Sequence, residues 1–144
     1  RTYEPNTRLL PILNELLMAF NMLDKVVILG SDPRLLQLAK TVNKDMETGL
    51  NANMTFQKAS QQVRELKALL LRSSMHNLAP ERIPAFQKAG FYISGGLLSH
   101  CGEMDMACEL GLDMFEHEAP WRAKTHYREV ARHSAQTMYR TSTL

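Results

Sequence analysis

The stretch VVILGSDPR, residues 26–34, decides which fold class the sequence predicts. A hydrophobic run that enters Gly30 and Ser31 resembles a β-strand leading into a phosphate-binding loop. A lone strand without a βαβ partner cannot build a nucleotide site, and the chain has no glycine-rich loop followed by a lysine. In the other interpretation, Gly30 ends one helix, Ser31 or Asp32 caps the next, and Pro33 occupies its first turn. We therefore interpret the stretch as a boundary between helices.

Apolar residues on both sides of this boundary recur at helical spacing, which favours helices over strands. Only FYISGG, residues 91–96, is interpreted as extended, and one short strand makes no sheet. The sequence thus predicts an all-α fold, a compact bundle of about six helices with at most one short extended segment near 91–94. The six helices are expected over about 8–25 and 33–48, from Thr55 onward, in a short segment ending at Gly90, and over about 97–116 and 120–140.

Length and composition favour one ordinary globular domain. The 144 residues predict a single helical domain over 1–144, excised from a longer protein because the chain starts at Arg1. Two cysteines are too few for a disulfide scaffold, and no apolar run approaches the roughly 18 residues of a membrane span. We therefore expect an intracellular protein, cytoplasmic or nuclear, in a reducing compartment. Nine methionines are compatible with a viral or phage origin.

Charge is divided sharply along the chain. Residues 1–90 hold 12 Lys/Arg and 8 Asp/Glu, residues 91–120 hold six acids and no Lys/Arg, and residues 121–144 hold five Lys/Arg and one acid. These counts give local charges of +4, −6 and +4, which sum to the net charge of +2. An acidic block followed at once by a basic one indicates two contact surfaces.

The acidic block contains ligand-type residues whose spacing argues against a metal site. Cys101 and Cys108 share a face of the predicted helix but lie about 10.5 Å apart along its axis. One zinc ion or one disulfide cannot bridge that distance, and His100 and His117 point in other directions. We expect small buried thiols, no metal and no cofactor, although opening the helix at Gly102 would reopen the question.

Two surfaces of the last two predicted helices are the candidate binding sites. The acidic contact stripe consists of Asp105, Glu109, Asp113 and Glu116. The basic ridge combines cations that can pair with phosphates and rings that can stack on bases. Its residues, proposed to bind nucleic acid or a partner, are Trp121, Arg122, Lys124, Arg128, Arg132, Tyr139 and Arg140.

These surfaces predict a non-catalytic helical module for protein–protein interaction and oligomerisation, with a protein partner or a second copy bound at the ridge. The alternative is a nucleic-acid-binding domain that uses the same ridge, and a solvated face or pairing with the acidic stripe would leave the ridge without a partner. The sequence contains no G-x-S-x-G nucleophile turn and no phosphate loop. We therefore expect no enzyme, with a metal-dependent site at His100, Cys101, Cys108 and His117 as the least favoured interpretation.

Overall fold

The computed structural model describes residues 8–119, 121, 124 and 125, and within them helices alternate with strands. Each strand is short, between four and seven residues, and each is followed by a turn into a helix or by the next loop. In chain order the elements are α1 Leu9–Ala19, β1 Val27–Gly30, α2 Pro33–Val42, β2 Glu47–Ala52, α3 Phe56–Glu65, β3 Leu70–Ser73, α4 Ile83–Lys88, β4 Tyr92–Leu98, α5 Cys101–Glu109 and β5 Met114–His117.

The five strands form one parallel sheet in the order β1-β2-β3-β4-β5. Crossovers between parallel strands are right-handed in about 98% of cases, so an order that never reverses places the connecting helices on one face of the sheet. The opposite face is then free to become the inner, concave face. Eight such βα units close into a (β/α)8 barrel, and the five strands here form about half of one.

The two faces of the sheet differ in burial, as this arrangement requires. Leu50, Leu71 and Ile93 are neighbours in register and are at most 1% exposed, because they pack under the helices. One position earlier, on the concave face, β2 has Gly49, β3 has Leu70 at 7% exposure and β4 has Tyr92 at 47% exposure. The helix-covered face is therefore the hydrophobic core, while the concave face has no comparable cover from the described residues.

The hydrophobic core lies between the sheet and the helices that pack against one of its faces. Leu36 of α2, Val63 of α3 and Phe86 of α4 belong to one buried cluster with the strand residues. The local sequence explains these helices: Asp32 caps α2 by accepting a hydrogen bond from the Arg34 N–H at 2.9 Å, and Pro33 occupies the first turn. Burial of the apolar stripes then supplies most of their stability.

The predicted all-α bundle is wrong, because four strands lie where helices or helix breaks were expected. The predicted helix over 8–25 is α1 followed by a short turn, and β1 occupies the stretch interpreted as a helix boundary. The predicted helix over 97–116 is α5 followed by β5, separated by Gly111 at φ +66°. Of the five strands only β4 was expected, since the sequence predicted one extended segment near 91–94 and β4 spans Tyr92–Leu98. Strands of four to six apolar residues resemble segments of buried helices, since periodicity alone cannot separate the two.

The sequence also led us to expect no membrane span, a single domain and a reducing compartment. No helix among the described residues is long and apolar enough to cross a membrane. The placement of residues 1–144 in a single domain stays a prediction, as does the reducing compartment.

Candidate active site

The carboxyl ends of the parallel strands meet at one edge of the sheet, which is where barrel enzymes place their active sites. The penultimate residue of each strand faces the concave side of this edge. This layer consists of Leu29, Asn51, Arg72, Leu97 and Glu116. It combines two apolar side chains with an amide, a cation and a carboxylate, and we refer to it as the edge layer.

Arg72 connects three strands of the edge layer through direct hydrogen bonds. Its Nε donates to Oε1 of Glu116 at 2.6 Å and its Nη2 donates to Oε2 of the same carboxylate at 2.6 Å. Its Nη1 donates to Oδ1 of Asn51 at 2.9 Å. The side chain of Arg72 is 21% exposed and that of Glu116 is 46% exposed, so the pair is partly withdrawn from water and open on the concave side.

An irregularity in β4 accompanies this contact between β3 and β5. The pairing of β4 with β5 shifts register between Gly95 and Leu97, as an inserted residue in one strand does. Such bulges increase the local twist of a strand. A Cβ on Gly96 would be in ordinary van der Waals contact with the carbonyl oxygen of Ser73 on β3, at 3.4 Å. Beside this irregularity, Glu116 of β5 reaches Arg72 of β3 across the intervening strand.

The bidentate pair shifts the titration of both partners. Hydrogen bonds from Arg72 hold the pKa of Glu116 below its usual range, and partial burial of the carboxylate opposes this effect. The same bonds raise the pKa of Arg72. Glu116 is therefore ionised at neutral pH, and it fixes the plane of the guanidinium at the edge layer.

We expect Glu116→Gln to change how stability depends on pH. A lowered folded-state pKa means that the carboxylate stabilises the fold above the pKa of an unfolded Glu, about 4.3, and that this contribution is lost as pH falls through the folded pKa. The difference in the free energy of unfolding between wild type and Glu116→Gln should therefore be larger at pH 7 than at pH 3. Urea unfolding at the two pH values measures this difference.

Glu81→Gln is the control for that measurement. Glu81 is 71% exposed and lies 3.7 Å from Arg82 in an ordinary surface pair. Such pairs contribute little to stability, so this variant should differ from wild type by less than about 0.5 kcal/mol at both pH values. A Glu116→Gln difference that is the same at pH 7 and pH 3 would contradict the assigned role of the carboxylate.

A second group of polar side chains lies at the same edge, around the start of α5. The Glu103 carboxylate accepts a hydrogen bond from the Ser99 N–H at 2.7 Å, and this bond lowers the pKa of Glu103. Nδ1 of His100 lies 3.5 Å from the same carboxylate. Nδ1 of His117, at the end of β5, accepts from the Ala119 N–H at 2.8 Å, so the neutral ring carries its proton on Nε2.

Two cavities open beside this group. One of about 230 Å³ is lined by the segment Ser74–His76, by Gly96–Leu98 and by Glu103. The other, of about 350 Å³, is lined by His76 and by residues from the start of α3 and the loop before α4. His76 is exposed and lines both cavities, so its imidazole is accessible to a molecule bound in either one.

Comparison with known proteins gives a consistent result for the fold. No family model matches the sequence, and no curated protein matches it significantly. Several solved structures share the fold, among them three phosphodiesterases. A protein from Silicibacter pomeroyi assigned as a glycerophosphoryl diester phosphodiesterase matches with a TM-score of 0.76 at 14% identity, covering 86% of this chain and 44% of that one.

The other two structures match in the same way. A protein from Galdieria sulphuraria assigned as a glycerophosphodiester phosphodiesterase has a TM-score of 0.70 at 17% identity, over 84% of this chain and 50% of that one. A phosphodiesterase from Oleispira antarctica, in complex with the product sn-glycerol-3-phosphate, has a TM-score of 0.65 at 13% identity, over 71% of this chain and 41% of that one. The fold is shared with phosphodiesterases. The chain spans about half the length of the structures it matches.

These neighbours contradict two expectations from the sequence. The interpretation as a non-catalytic helical interaction and assembly module, with nucleic-acid binding as its alternative, is wrong, and so is the expectation of no enzyme. The first interpretation depended on amphipathic helices that present their polar faces to a partner, and the second on the absence of a G-x-S-x-G turn and of a phosphate loop. In the structure the helices instead cover one face of a parallel sheet, and the proteins that share this sheet are enzymes.

The residues predicted for the basic ridge fall mostly outside the described part of the chain. Trp121 and Lys124 are exposed and helical, and the Thr125 hydroxyl donates to the Trp121 carbonyl at 3.1 Å. The remaining ridge residues, Arg122, Arg128, Arg132, Tyr139 and Arg140, lie outside the described residues. Binding of a partner at the ridge stays a prediction.

The four residues of the acidic contact stripe do not share one helix. Asp105 and Glu109 lie on α5, while Asp113 precedes β5 and Glu116 lies within it. The helix expected to join them ends at Glu109, since Gly111 takes a positive φ and the chain enters a strand. Glu116 therefore faces Arg72 on the concave side, and a partner role for the other three stays a prediction.

The cysteines occupy a different environment from the one expected. Cys101 and Cys108 both lie on α5 and are exposed, so the expected buried thiols are wrong. Within residues 8–119, 121, 124 and 125, no group of three or more His, Cys, Asp or Glu side chains could hold a metal ion. That the protein uses neither a metal nor a cofactor stays a prediction.

Sequence reasoning missed Arg72, which donates hydrogen bonds to Glu116, and Asn51, which accepts another from Arg72. Arg72 was interpreted as part of the polar face of a helix, and Asn51 as part of a helix break. The available signal is a polar residue at the penultimate position of each apolar run, in LNA, LLRS and FEH. That signal can be recognised only once the runs are interpreted as parallel strands.

Proposed function

We propose that this chain forms one wall of the catalytic barrel of a phosphodiesterase that hydrolyses glycerophosphodiesters. The observation that carries the proposal is the match of 71–86% of the chain to three phosphodiesterase structures. The chain spans about half of their length, and in this proposal the closed barrel includes a wall that the chain itself does not supply. The activity is a property of the closed barrel.

The edge layer and the groups beside it suit the chemistry of this reaction. Hydrolysis forms a bond from a water oxygen to phosphorus and breaks the bond to one alcohol, and the proton lost by water ends on the leaving alcohol. Such a reaction needs a cation near the phosphate and groups that accept and deliver protons. This edge contributes a guanidinium at Arg72, an accessible imidazole at His76 and an ionised carboxylate at Glu103.

The test is an activity assay on the natural protein that carries this chain. Glycerophosphocholine and glycerophosphoethanolamine are supplied as substrates, and release of sn-glycerol 3-phosphate is followed enzymatically. We expect turnover above the blank, and we expect His76→Gln to lower kcat by about tenfold or more, as for a side chain that transfers a proton. Lys58→Gln, an exposed position on the outer helix α3, should retain wild-type kcat. Folded protein that hydrolyses neither substrate would refute the proposal.

A further inference from the structure

We propose that Arg72 binds the phosphate group of the substrate, and that Glu116 and Asn51 are positioning residues that orient its guanidinium. The inference rests on the proposed function for the identity of its ligand. Its geometric basis is independent, since it depends on the hydrogen bonds and burial of the edge layer.

The donor count of Arg72 leaves room for a ligand. A guanidinium carries five N–H donors. The described residues accept three of them, two at the Glu116 carboxylate and one at the Asn51 side chain. One N–H on each of the two terminal nitrogens remains. Guanidinium groups bind carboxylates and phosphates through two parallel N–H···O bonds, so these two donors can bind a phosphate group.

The position of Arg72 favours a role in ligand binding over a purely structural role. It is the single cation of the edge layer. Its neighbours in register are Asn51 on β2 and Ser94 on β4, and two other members of the layer, Leu29 and Leu97, are apolar side chains exposed by 40% and 55%. At 21% exposure the guanidinium is partly withdrawn from solvent, where a charge-assisted bond is stronger than in water. Glu116 occupies the edge of the guanidinium formed by Nε and Nη2, and Asn51 takes one N–H of Nη1, which leaves one N–H on each terminal nitrogen for a ligand.

The purely structural alternative is specific enough to be tested against this one. If the Arg72–Glu116 pair only ties β3 to β5, its loss changes stability and leaves affinity for phosphate ligands unchanged. If Arg72 binds phosphate, affinity changes with the donor geometry of the side chain at this position. The two outcomes separate when binding and unfolding are measured on the same variants.

The experiment is calorimetric titration of sn-glycerol 3-phosphate into the natural protein that carries this chain, with urea unfolding of each variant as a check on folding. We expect Arg72→Gln to weaken binding at least tenfold. Arg72→Lys should recover part of the affinity, because it restores the charge without the planar donors. Arg64→Gln is the matched control: Arg64 lies near the end of α3, its guanidinium 5.8 Å from the ring centroids of Phe86 and Phe91, and its loss should leave Kd unchanged.

The positioning role has its own readout. Glu116→Gln keeps a side chain of the same shape and should raise Kd by about two- to fivefold while leaving the Arg72 charge in place. In wild type, addition of sn-glycerol 3-phosphate should shift the 15N resonance of the Arg72 Nε, and in Glu116→Gln that shift should be smaller. A merely structural pair would show no ligand-dependent shift.

The outcomes distinguish this inference from the proposed function. Wild-type protein that does not bind sn-glycerol 3-phosphate, or a folded Arg72→Gln variant with wild-type Kd, would overturn the role of Arg72. Protein that binds the ligand through Arg72 but hydrolyses no glycerophosphodiester would uphold the inference and refute the proposed function. Hydrolysis with unchanged KM and kcat in Arg72→Gln would refute the inference and leave the proposed function standing.

Discussion

Phe86→Ala should lower the free energy of unfolding by about 3–5 kcal/mol, the usual range for removing a buried phenyl ring. Phe86 lies on α4, is 2% exposed and belongs to the main buried cluster. Its ring contacts that of Phe56 edge-on at a centroid distance of 5.5 Å and stacks on that of Phe91 at 4.8 Å. The substitution therefore leaves a cavity between α3, α4 and the start of β4.

Urea unfolding followed by circular dichroism at 25 °C measures this loss. Phe20→Ala is the matched control, because Phe20 is 73% exposed at the end of α1 and the same substitution there should cost less than about 0.5 kcal/mol. A loss below about 1 kcal/mol for Phe86→Ala would mean that α4 does not pack on the sheet as described. It would also remove the support for the loop that carries His76.

Where local chemistry decides the structure, the sequence could be interpreted correctly. Asp32 was one of two residues expected to cap a helix and Pro33 to occupy its first turn, and α2 begins in that way. Thr55 precedes α3 as expected, although its side chain makes no capping bond. Helix starts of this kind depend on a few adjacent residues, so they can be read without knowledge of the rest of the fold.

The strands could not be recognised in the same way, because their stability comes from neighbours that are distant in sequence. The run VVIL was interpreted as the end of a helix, because a single strand cannot form a sheet and no partner strand was apparent in the sequence. Its partner β2 reads ETGLNA, which has neither period-2 alternation nor a strong apolar run. A parallel strand is stabilised by hydrogen bonds to its neighbouring strands and by the helices that cover it. It is therefore stable only together with the other βα units, and its own residues do not identify it.

The candidate site was missed for the same reason. Asn51, Arg72 and Glu116 are separated by 21 and 44 residues in sequence, and the hydrogen bonds of Arg72 join them at the edge of the sheet. Glu116 was identified as part of a contact surface, but on a helix that does not exist, so its partner was sought on another molecule. Its carboxylate pairs with Arg72 within the chain.

Asp113→Ala should lower the free energy of unfolding by about 1.5–3 kcal/mol, as expected for loss of hydrogen bonds to a charged acceptor. Oδ2 of Asp113 accepts from the Ile93 N–H at 2.8 Å and from Nε2 of Gln87 at 3.0 Å. The Asp113 N–H in turn donates to the Ile93 carbonyl at 3.1 Å. This residue therefore joins α4, β4 and the start of β5, and its removal leaves the Ile93 amide without that acceptor.

Glu109→Ala supplies the comparison, because Glu109 was assigned to the same acidic stripe and lies exposed at the end of α5. A change within about 0.5 kcal/mol is expected there. Asp113→Asn keeps an acceptor oxygen at the Ile93 amide and should retain roughly half of the stability that Asp113→Ala loses. Equal effects of Asp113→Ala and Glu109→Ala on unfolding would mean that the two carboxylates are equivalent surface charges, as the sequence suggested. A large effect confined to Asp113 instead assigns its carboxylate to the internal connection between strands, through its hydrogen bonds with the Ile93 amide and with Gln87.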